Sequence, residues 1–215
     1  MDTKKRPIII DTDPGIDDAV ALAIALNHPN LEVRLITTVA GNVDVEKTTN
    51  NALKLVDFFG KKVPVAKGCN CPLLIQLEDS AEIHGETGMD GFEFPQPIST
   101  CLDIHAVEAM RKEILSSDVP LTIVPIAALT NIALLLTLYP EVKENIAEIV
   151  MMGGSLARGN TNTSAEFNTY VDPHAAQIVY EAALKAGAPE NFIQWIEKPS
   201  IYGTSALIQN TGIAS

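Results

Sequence analysis

The stretch Pro7-Ile8-Ile9-Ile10-Asp11-Thr12-Asp13-Pro14-Gly15-Ile16-Asp17-Asp18 decides the fold, because a short apolar run passes directly into a loop of carboxylates. Such a β-branched run is typical of a buried strand in a parallel sheet. The next apolar stretch, residues 19–26, is rich in Ala and Leu and predicts a helix that ends before Pro29. The stretch therefore predicts a strand, a loop and a helix, with the carboxylates in the loop.

Strand and helix signals alternate along the rest of the chain. Further strands are predicted at residues 31–39, 63–66, 121–126 and 146–152, and further helices at residues 45–59, 104–115, 130–138 and 173–185. Asp172 and Pro173 suit the N-cap and first position of the last helix. Residues 69–100 form a long irregular segment. The alternation predicts an α/β fold, an open, mostly parallel sheet with helices on both faces, which binds ligands outside the carboxyl ends of its strands.

Composition and charge limit the class of protein. The 215 residues include 47% apolar and 20% charged residues, which is a globular composition. The net charge of -12 argues against a polymeric nucleic-acid partner, although not against a nucleoside. No run of about 18 apolar residues predicts a membrane span, and three apolar residues after the basic start are too few for a signal peptide. We expect a cytoplasmic protein whose three cysteines are reduced.

The carboxylate loop predicts a cation site. Asp17 or Asp18 could simply favour the first turn of the helix, but that does not explain Asp11 and Asp13 at the strand end. Two carboxylates about 4 Å apart repel by about 1 kcal/mol in water and about 4 kcal/mol at an effective dielectric of 20. Oxygen ligands suit a hard divalent ion such as Ca2+, and no nearby Cys or His favours zinc.

Other polar groups follow the later strands. Each has a local explanation, because Asn42 could belong to a turn, His84 to a solvated loop and Thr130 to a helix N-cap. Asn160, Glu166 and Asn168 follow the strand that ends near Met152. Together, at successive strand ends, these groups predict a rim that binds sugar hydroxyls.

Several of these stretches match one known family in its own order. They are Asp11-Thr12-Asp13-Pro14-Gly15-Ile16-Asp17-Asp18, Thr37-Thr38-Val39-Ala40-Gly41-Asn42, His84-Gly85-Glu86-Thr87-Gly88, Leu129-Thr130-Asn131-Ile132-Ala133, Met152-Gly153-Gly154 and Ala165-Glu166-Phe167-Asn168 with Asp172-Pro173. The chain resembles the nucleoside hydrolases, specifically the inosine–uridine-preferring and non-specific ribonucleoside hydrolases. The resemblance covers roughly residues 7–181.

This resemblance implies an activity and a metal. The activity is Ca2+-dependent hydrolysis of the N-glycosidic bond of ribonucleosides, in purine and pyrimidine salvage. It implies that Asp13, Asp18 and the backbone carbonyl of Thr130 hold the Ca2+, and that Asp13 is the general base for the metal-bound water. Asp11 would support the loop from behind these ligands.

The resemblance also assigns the substrate contacts. Asp17 and Asn168 would hold the 2′-hydroxyl, Asn42 the 3′-hydroxyl, and Asn160 and Glu166 the 5′-hydroxyl, with Met152 also lining the site and His84 near the base. Full-length relatives form homodimers or homotetramers.

The chain departs from the family pattern in two places. Ile126-Ala127-Ala128 stands where the family usually has a Thr-Gly pair. The family also continues beyond this chain with a His–Asp pair, whose Asp is a further Ca2+ ligand. We therefore expect residues 1–183 to be the N-terminal part of a nucleoside hydrolase domain, with an open sheet edge after the last predicted strand. Residues 184–215 form an atypical tail that resembles a segment of bifunctional aldehyde–alcohol dehydrogenases.

Two alternatives remain open from the sequence. Ile8-Ile9-Ile10-Asp11-Thr12-Asp13 imitates the strand and Asp-x-Asp motif of haloacid dehalogenase-type phosphatases, with Asp11 as nucleophile and Asp13 as acid. That family places Thr or Val where this chain has Gly15, and it gives no role to Glu166 or Asn168. The other alternative is a remnant that binds Ca2+ or ribose without catalysis.

Overall fold

Seven strands and seven helices account for most of the residues that the structure describes. The computed structural model describes residues 5–155, 158–185, 194–200 and 203–209. The strands are β1 (Arg6–Thr12), β2 (Leu31–Thr38), β3 (Val65–Lys67), β4 (Leu121–Pro125), β5 (Ile146–Met152), β6 (Gln194–Ser200) and β7 (Gly203–Gln209). The helices are α1 (Ile16–Asn27), α2 (Val45–Phe58), α3 (Ala81–His84), α4 (Ala106–Ser116), α5 (Thr130–Leu138), α6 (Phe167–Val171) and α7 (Pro173–Lys185), with a 3-10 helix at Pro140–Asn145.

The strands form one sheet in the order β3-β2-β1-β4-β5-β7-β6. β1 pairs in parallel with β2 on one side and β4 on the other, and β3 and β5 extend the parallel part outward. Strand order reverses direction at β1, since the chain moves outward to β3 and then returns to β4. Such a reversal opens a crevice at the carboxyl ends of the strands, and the carboxylate loop lies there.

Helices cover both faces of the sheet. Ile9 of β1 belongs to a core cluster with residues of α4, α5 and α7. Its neighbours Ile8 and Ile10 belong to a second cluster with residues of α1 and α2. Successive side chains of a strand point to opposite faces, so β1 is buried on both sides. The predicted open, mostly parallel sheet with helices on both faces is confirmed.

Some predicted boundaries are wrong. α1 begins at Ile16, three residues before the predicted start, because the Asp18 carboxylate accepts the Gly15 N–H and holds the first turn. β3 lies at Val65–Lys67 and not at residues 63–66. The short helices α3 and α6 and the 3-10 helix were not predicted, since they are too short to show a periodic pattern.

The expected open edge beside β5 is also wrong. β7 pairs antiparallel with β5, from Glu148 opposite Gln209 to Met152 opposite Ser205, and β6 pairs antiparallel with β7. The domain boundary at residue 183 stays a prediction. Within the residues described, no helix has both the length and the apolar character that crossing a bilayer requires.

Asp172 connects three segments beside the sheet. One carboxylate oxygen accepts the Ala175 N–H at 3.0 Å, which confirms the predicted N-cap of α7. The other accepts the Leu73 N–H at 2.9 Å and the Thr130 hydroxyl at 2.7 Å. Asp172 is 0% exposed, so these three protein donors take the place of the water that an exposed carboxylate would bind.

We expect the Asp172→Ala substitution to lower the free energy of unfolding by roughly 3 kcal/mol, because three donors lose their acceptor in a buried place. Urea denaturation followed by circular dichroism measures the loss. The exposed Asp118 provides a control, and Asp118→Ala should change the free energy of unfolding by less than about 0.5 kcal/mol. Equal losses in the two variants would contradict the role given to Asp172.

Candidate active site

Asp11 lies at the base of the carboxylate loop, fully buried between two strands. Its Oδ1 accepts the Thr37 hydroxyl at 2.5 Å and the Asn131 Nδ2 at 2.8 Å. Burial raises the pKa of Asp11 to about 7, and these two hydrogen bonds oppose the rise. Its Oδ2 is buried and has no hydrogen-bond partner among the described residues. Asp11 thus contacts the end of β2 and the start of α5 from beneath the loop.

Asp13 is the carboxylate with a free buried oxygen in the middle of the loop. It is 1% exposed, and its Oδ2 accepts the Asn42 N–H at 2.7 Å. Within the described part of the chain, no donor reaches its Oδ1. Burial raises the pKa of Asp13 well above its ordinary value, and the neighbouring charges of Asp18 and Asp17 raise it further. The site therefore disfavours a negative charge on Asp13 unless a positive group lies beside it.

Asp18 lies near Asp13, in the first turn of α1. Its Oδ1 accepts the Thr12 hydroxyl at 2.8 Å, and its Oδ2 accepts the Gly15 N–H at 3.0 Å. Burial raises the pKa of Asp18 to about 7, and the charge of Asp17 adds to this effect. Asp17 itself is exposed on the first turn of α1.

Asn42 joins these carboxylates to the end of β2. Its Nδ2 donates to the Asp13 carbonyl at 3.0 Å and to Asp18 Oδ2 at 3.1 Å. Its Oδ1 accepts the hydroxyl of Ser80 at 3.0 Å, and its carbonyl accepts the Ser80 N–H. One amide side chain thus fixes Asp13, Asp18 and the long segment after β3 relative to one another.

Two glycines allow this close packing. A Cβ on Gly41 would lie 2.1 Å from Asp13 Oδ2. A Cβ on Gly15 would lie 2.6 Å from His84 Nδ1 and 2.7 Å from Asn42 Nδ2. The carboxylate and the amide occupy the space that a side chain would need at these positions.

His84 ends α3 and reaches the carboxylate loop from the side. Its Nδ1 accepts the Ile16 N–H at 3.3 Å, so the ring lies at the N-terminus of α1. Burial lowers the pKa of His84, and the charge of Asp17 opposes this shift. The imidazole is therefore biased toward its neutral form.

The residues that follow β5 form the other side of the site. The Nδ2 of Asn168 donates to the carbonyls of Ile126 and Met152, each at 3.2 Å. The Ile126 N–H in turn donates to the Asp11 carbonyl at 2.8 Å, which links this group to the carboxylate loop. Asn160 is exposed, and its Oδ1 accepts the Phe167 N–H at 2.8 Å.

Glu166 has its carboxylate committed to the backbone. It accepts the N–H groups of Asn168, Thr169 and Gly154, and thereby caps α6. Burial raises the pKa of Glu166, and these backbone hydrogen bonds oppose the shift. The predicted contact between Glu166 and a substrate hydroxyl stays a prediction, as do the other roles assigned to the site residues.

Comparisons with known proteins give the family of the chain. The sequence profile of the family "Inosine-uridine preferring nucleoside hydrolase" matches residues 8–198. The chain belongs to this family. It is 52% identical over 181 residues to a non-specific ribonucleoside hydrolase of Klebsiella pneumoniae, which covers 84% of this chain and 60% of that protein. The corresponding protein of Salmonella typhi is 52% identical over 183 residues, covering 85% of this chain and 60% of its own length.

Solved nucleoside hydrolase structures share the fold. The purine-preferring ribonucleoside hydrolase from Gardnerella vaginalis superposes with a TM-score of 0.79 at 35% identity, covering 83% of this chain and 58% of that one. An inosine-guanosine nucleoside hydrolase superposes with a TM-score of 0.76 at 32% identity, over 82% of this chain and 58% of that one. The chain thus spans about three fifths of the length of the curated relatives it matches, 60% in each case above.

Carboxylate oxygens in this site are suitable ligands for a hard cation. The unpartnered Oδ1 of Asp13 and the nearby carboxylate of Asp18 are oxygen ligands of the kind that Ca2+ prefers. Among the described residues, no group of three or more His, Cys, Asp or Glu side chains is arranged to hold a metal. Two carboxylates therefore need main-chain or other oxygens to complete a coordination shell. Cys69, Cys71 and Cys101 are free thiols.

Sequence reasoning missed three polar residues that shape this site. Asn131 connects Asp11, the Thr38 carbonyl and the Cys69 N–H. Ser80 holds Asn42, and Asn51 reaches two carbonyls from α2. A polar residue on the inward face of a predicted helix is the signal that could have found Asn51, since buried amides need partners.

We expect the Gly41→Ala substitution to lower the free energy of unfolding by about 2–3 kcal/mol, because its Cβ would displace the Asp13 carboxylate. Urea denaturation measures the effect in two backgrounds. In the Asp13→Ala background the same substitution should cost less than about 1 kcal/mol, since the clashing oxygen is gone. The same cost in both backgrounds would show that the clash is not with Asp13.

Proposed function

We propose that this chain carries the ribose- and metal-binding part of a ribonucleoside hydrolase site, which cleaves the N-glycosidic bond to give ribose and free base. The observation that carries the proposal is the free Oδ1 of Asp13, buried among carboxylates at the carboxyl edge of the sheet. A buried oxygen acceptor without a donor is costly in a folded protein, and a functional ligand accounts for it.

A Ca2+ ion is the proposed cofactor. Asp13 and Asp18, with the backbone carbonyl of Thr130, would hold it, and all three residues are buried at the edge of the site. When bound, such an ion lowers the pKa of a coordinated water and orients substrate oxygens. The cost of burying Asp13 and Asp18 as charged groups would fall in the presence of the ion.

Asp13 is the proposed general base. Its Oδ1 is free to take a proton from the attacking water, while its Oδ2 stays fixed by the Asn42 N–H. The proposed ribose contacts surround this group, with Asp17, Asn42 and Asn168 for the ring hydroxyls, Asn160 and Glu166 for the 5′-hydroxyl, and Met152 and His84 beside them. Carboxylates and amide oxygens around the sugar stabilise the positive charge that develops as the glycosidic bond breaks.

The substrate class comes from the relatives. They include ribonucleoside hydrolases named as non-specific and as purine-preferring. We propose a ribonucleoside substrate without a phosphate polymer, in a cytoplasmic protein that assembles with further copies of itself. The net charge of -12 supports a substrate that carries no phosphate backbone.

The contacts of Asp11 count against the phosphatase alternative. Its nucleophile would be Asp11, which is 0% exposed and has Oδ1 committed to Thr37 and Asn131. Asp11 Oδ2 and Asp13 Oδ1 are both buried without a hydrogen-bond partner among the described residues, so burial alone does not separate the two carboxylates. Asp11 differs because it lies within β1 and its Oδ1 is held by β2 and α5, whereas Asp13 lies two residues further on, in the loop.

Incubation with inosine, uridine and a phosphomonoester, each with and without Ca2+, tests the proposal. We expect ribose from the nucleosides in the presence of Ca2+ and no phosphate from the ester. Asp13→Ala should lower the rate of ribose release by roughly a thousandfold, since it removes the general base, whereas Asp118→Ala should not. Release of phosphate would favour the phosphatase, and no product from a folded chain would favour the non-catalytic remnant.

Ca2+ should also stabilise the fold. At a concentration about 100 times its dissociation constant, a ligand adds roughly 2.7 kcal/mol to the free energy of unfolding. We expect thermal unfolding to shift upward with Ca2+, the shift to reverse on chelation, and the Asp18→Asn variant to lose most of it. Asp118→Asn is the matched control, and an unchanged shift in Asp18→Asn would place the ion elsewhere.

A further inference from the structure

Asn51 of α2 connects two segments of the site to which it does not itself belong. The residue is 2% exposed. Its Nδ2 donates to the Pro14 carbonyl at 3.1 Å and to the Thr87 carbonyl at 2.8 Å. Pro14 follows Asp13 in the carboxylate loop, and Thr87 lies three residues after His84. One side chain on a regular helix thus connects the carboxylate loop with the segment that carries His84.

Both hydrogens of the Asn51 amide are used in this bridge. A side-chain amide has two N–H donors, and each of them meets a main-chain carbonyl here. Buried main-chain carbonyls need donors. Removal of the amide therefore leaves Pro14 and Thr87 without this partner, and it removes the side chain that spans the gap between them.

Gly88 shows how closely the His84 segment approaches Asn51. Its φ is +83°, a backbone conformation that favours glycine, and a Cβ there would lie 3.1 Å from Asn51 Nδ2 and 2.9 Å from Val43 Cγ2. The main chain of the segment therefore packs directly on the amide. A side chain at residue 88 would push the segment away from α2.

The same segment contacts the site at two further points. Ser80 holds Asn42 through its hydroxyl and its N–H, and His84 Nδ1 accepts the Ile16 N–H. The Ser80 contact joins two loops, and the His84 contact joins the end of α3 to the first residue of α1 at the longer distance of 3.3 Å. Asn51 differs because it donates from the interior of a 14-residue helix that packs in the core. Asn51 therefore ties residues 80–88 to a regular helix of the core.

We infer that Asn51 is a positioning residue, which holds residues 80–88 and their His84 against the carboxylate loop by bridging the Pro14 and Thr87 carbonyls. The bridge follows from the contacts alone, and its consequence for catalysis rests on the proposed ribonucleoside hydrolase function. A segment that loses the bridge has to be ordered again when substrate binds. The Asn51→Ala variant should therefore raise KM by roughly tenfold and leave kcat within about twofold.

Hydrogen exchange tests the bridge without any need for activity. The N–H groups of His84, Gly85, Gly88 and Asp90 are bonded within the segment, so their exchange reports on its opening. Asn51→Ala should speed exchange in residues 80–91 roughly tenfold and leave α4 unchanged. The matched control is Asn50→Ala, since Asn50 has no side-chain hydrogen bond within the described part of the chain. Unchanged exchange in residues 80–91, or equal acceleration in α4, would overturn the inference.

A second pair of variants tests the bridge from the other side, in case Asn51→Ala fails to fold. Gly88→Ala places a methyl group against Asn51 Nδ2, whereas Gly91→Ala, at a φ of +108°, meets no atom within 4 Å. Both substitutions strain the backbone, but Gly88→Ala alone also places a Cβ against Asn51 Nδ2 and Val43 Cγ2, on the α2 side of the segment. Faster exchange in residues 80–88 for Gly88→Ala alone supports the inference, and equal effects overturn it. A failure of the unsubstituted chain to release ribose would count against the proposed function and would leave these exchange results to decide the bridge.

Discussion

Burial of like charges at the end of β1 is the constraint around which the site is built. Asp11, Asp13 and Asp18 are 0%, 1% and 5% exposed, so water contributes little to their solvation. Protein donors replace part of it, namely the hydroxyls of Thr12 and Thr37, the amides of Asn42 and Asn131, and the Gly15 N–H. Two carboxylate oxygens, Asp11 Oδ2 and Asp13 Oδ1, receive no hydrogen bond from the described residues. A fold that only needed stability would place apolar residues here, since buried charges seldom add net stability.

The central part of this arrangement could be predicted from the sequence. A β-branched run followed by four carboxylates fixes a strand and its loop, and the parallel-sheet rule places the loop at the ligand-binding edge. Asn42 was found in the same way, because it follows the next strand. These inferences depend on residues close in sequence and on the periodicity of the elements that flank them. They needed no knowledge of long-range packing.

The partners of the supporting residues could not be found in that way. Asn51 and Asn131 contact partners 36 to 120 residues away, and an Asn on a helix has no local pattern that names such a partner. Glu166 shows a further difficulty, since its carboxylate also caps a helix of five residues. Periodicity needs a longer segment than α6 to predict a helix, so its cap could not be recognised either.

The hydrogen bonds already made by the two central amides restrict what they can offer to a ligand. Asn42 uses both N–H groups on Asp13 and Asp18, and Asn168 uses its Nδ2 on Ile126 and Met152. Asn42 Oδ1 already accepts the Ser80 hydroxyl, so the groups left for a ligand are Asn168 Oδ1 and the oxygens of the ionised Asp13 and Asp17 carboxylates, which accept and cannot donate. A surface made of acceptors suits a ligand that presents hydroxyl donors and gains positive charge as it reacts. In the absence of a cation such a surface repels phosphate, whose oxygens are also acceptors, and this supports the proposed nucleoside substrate.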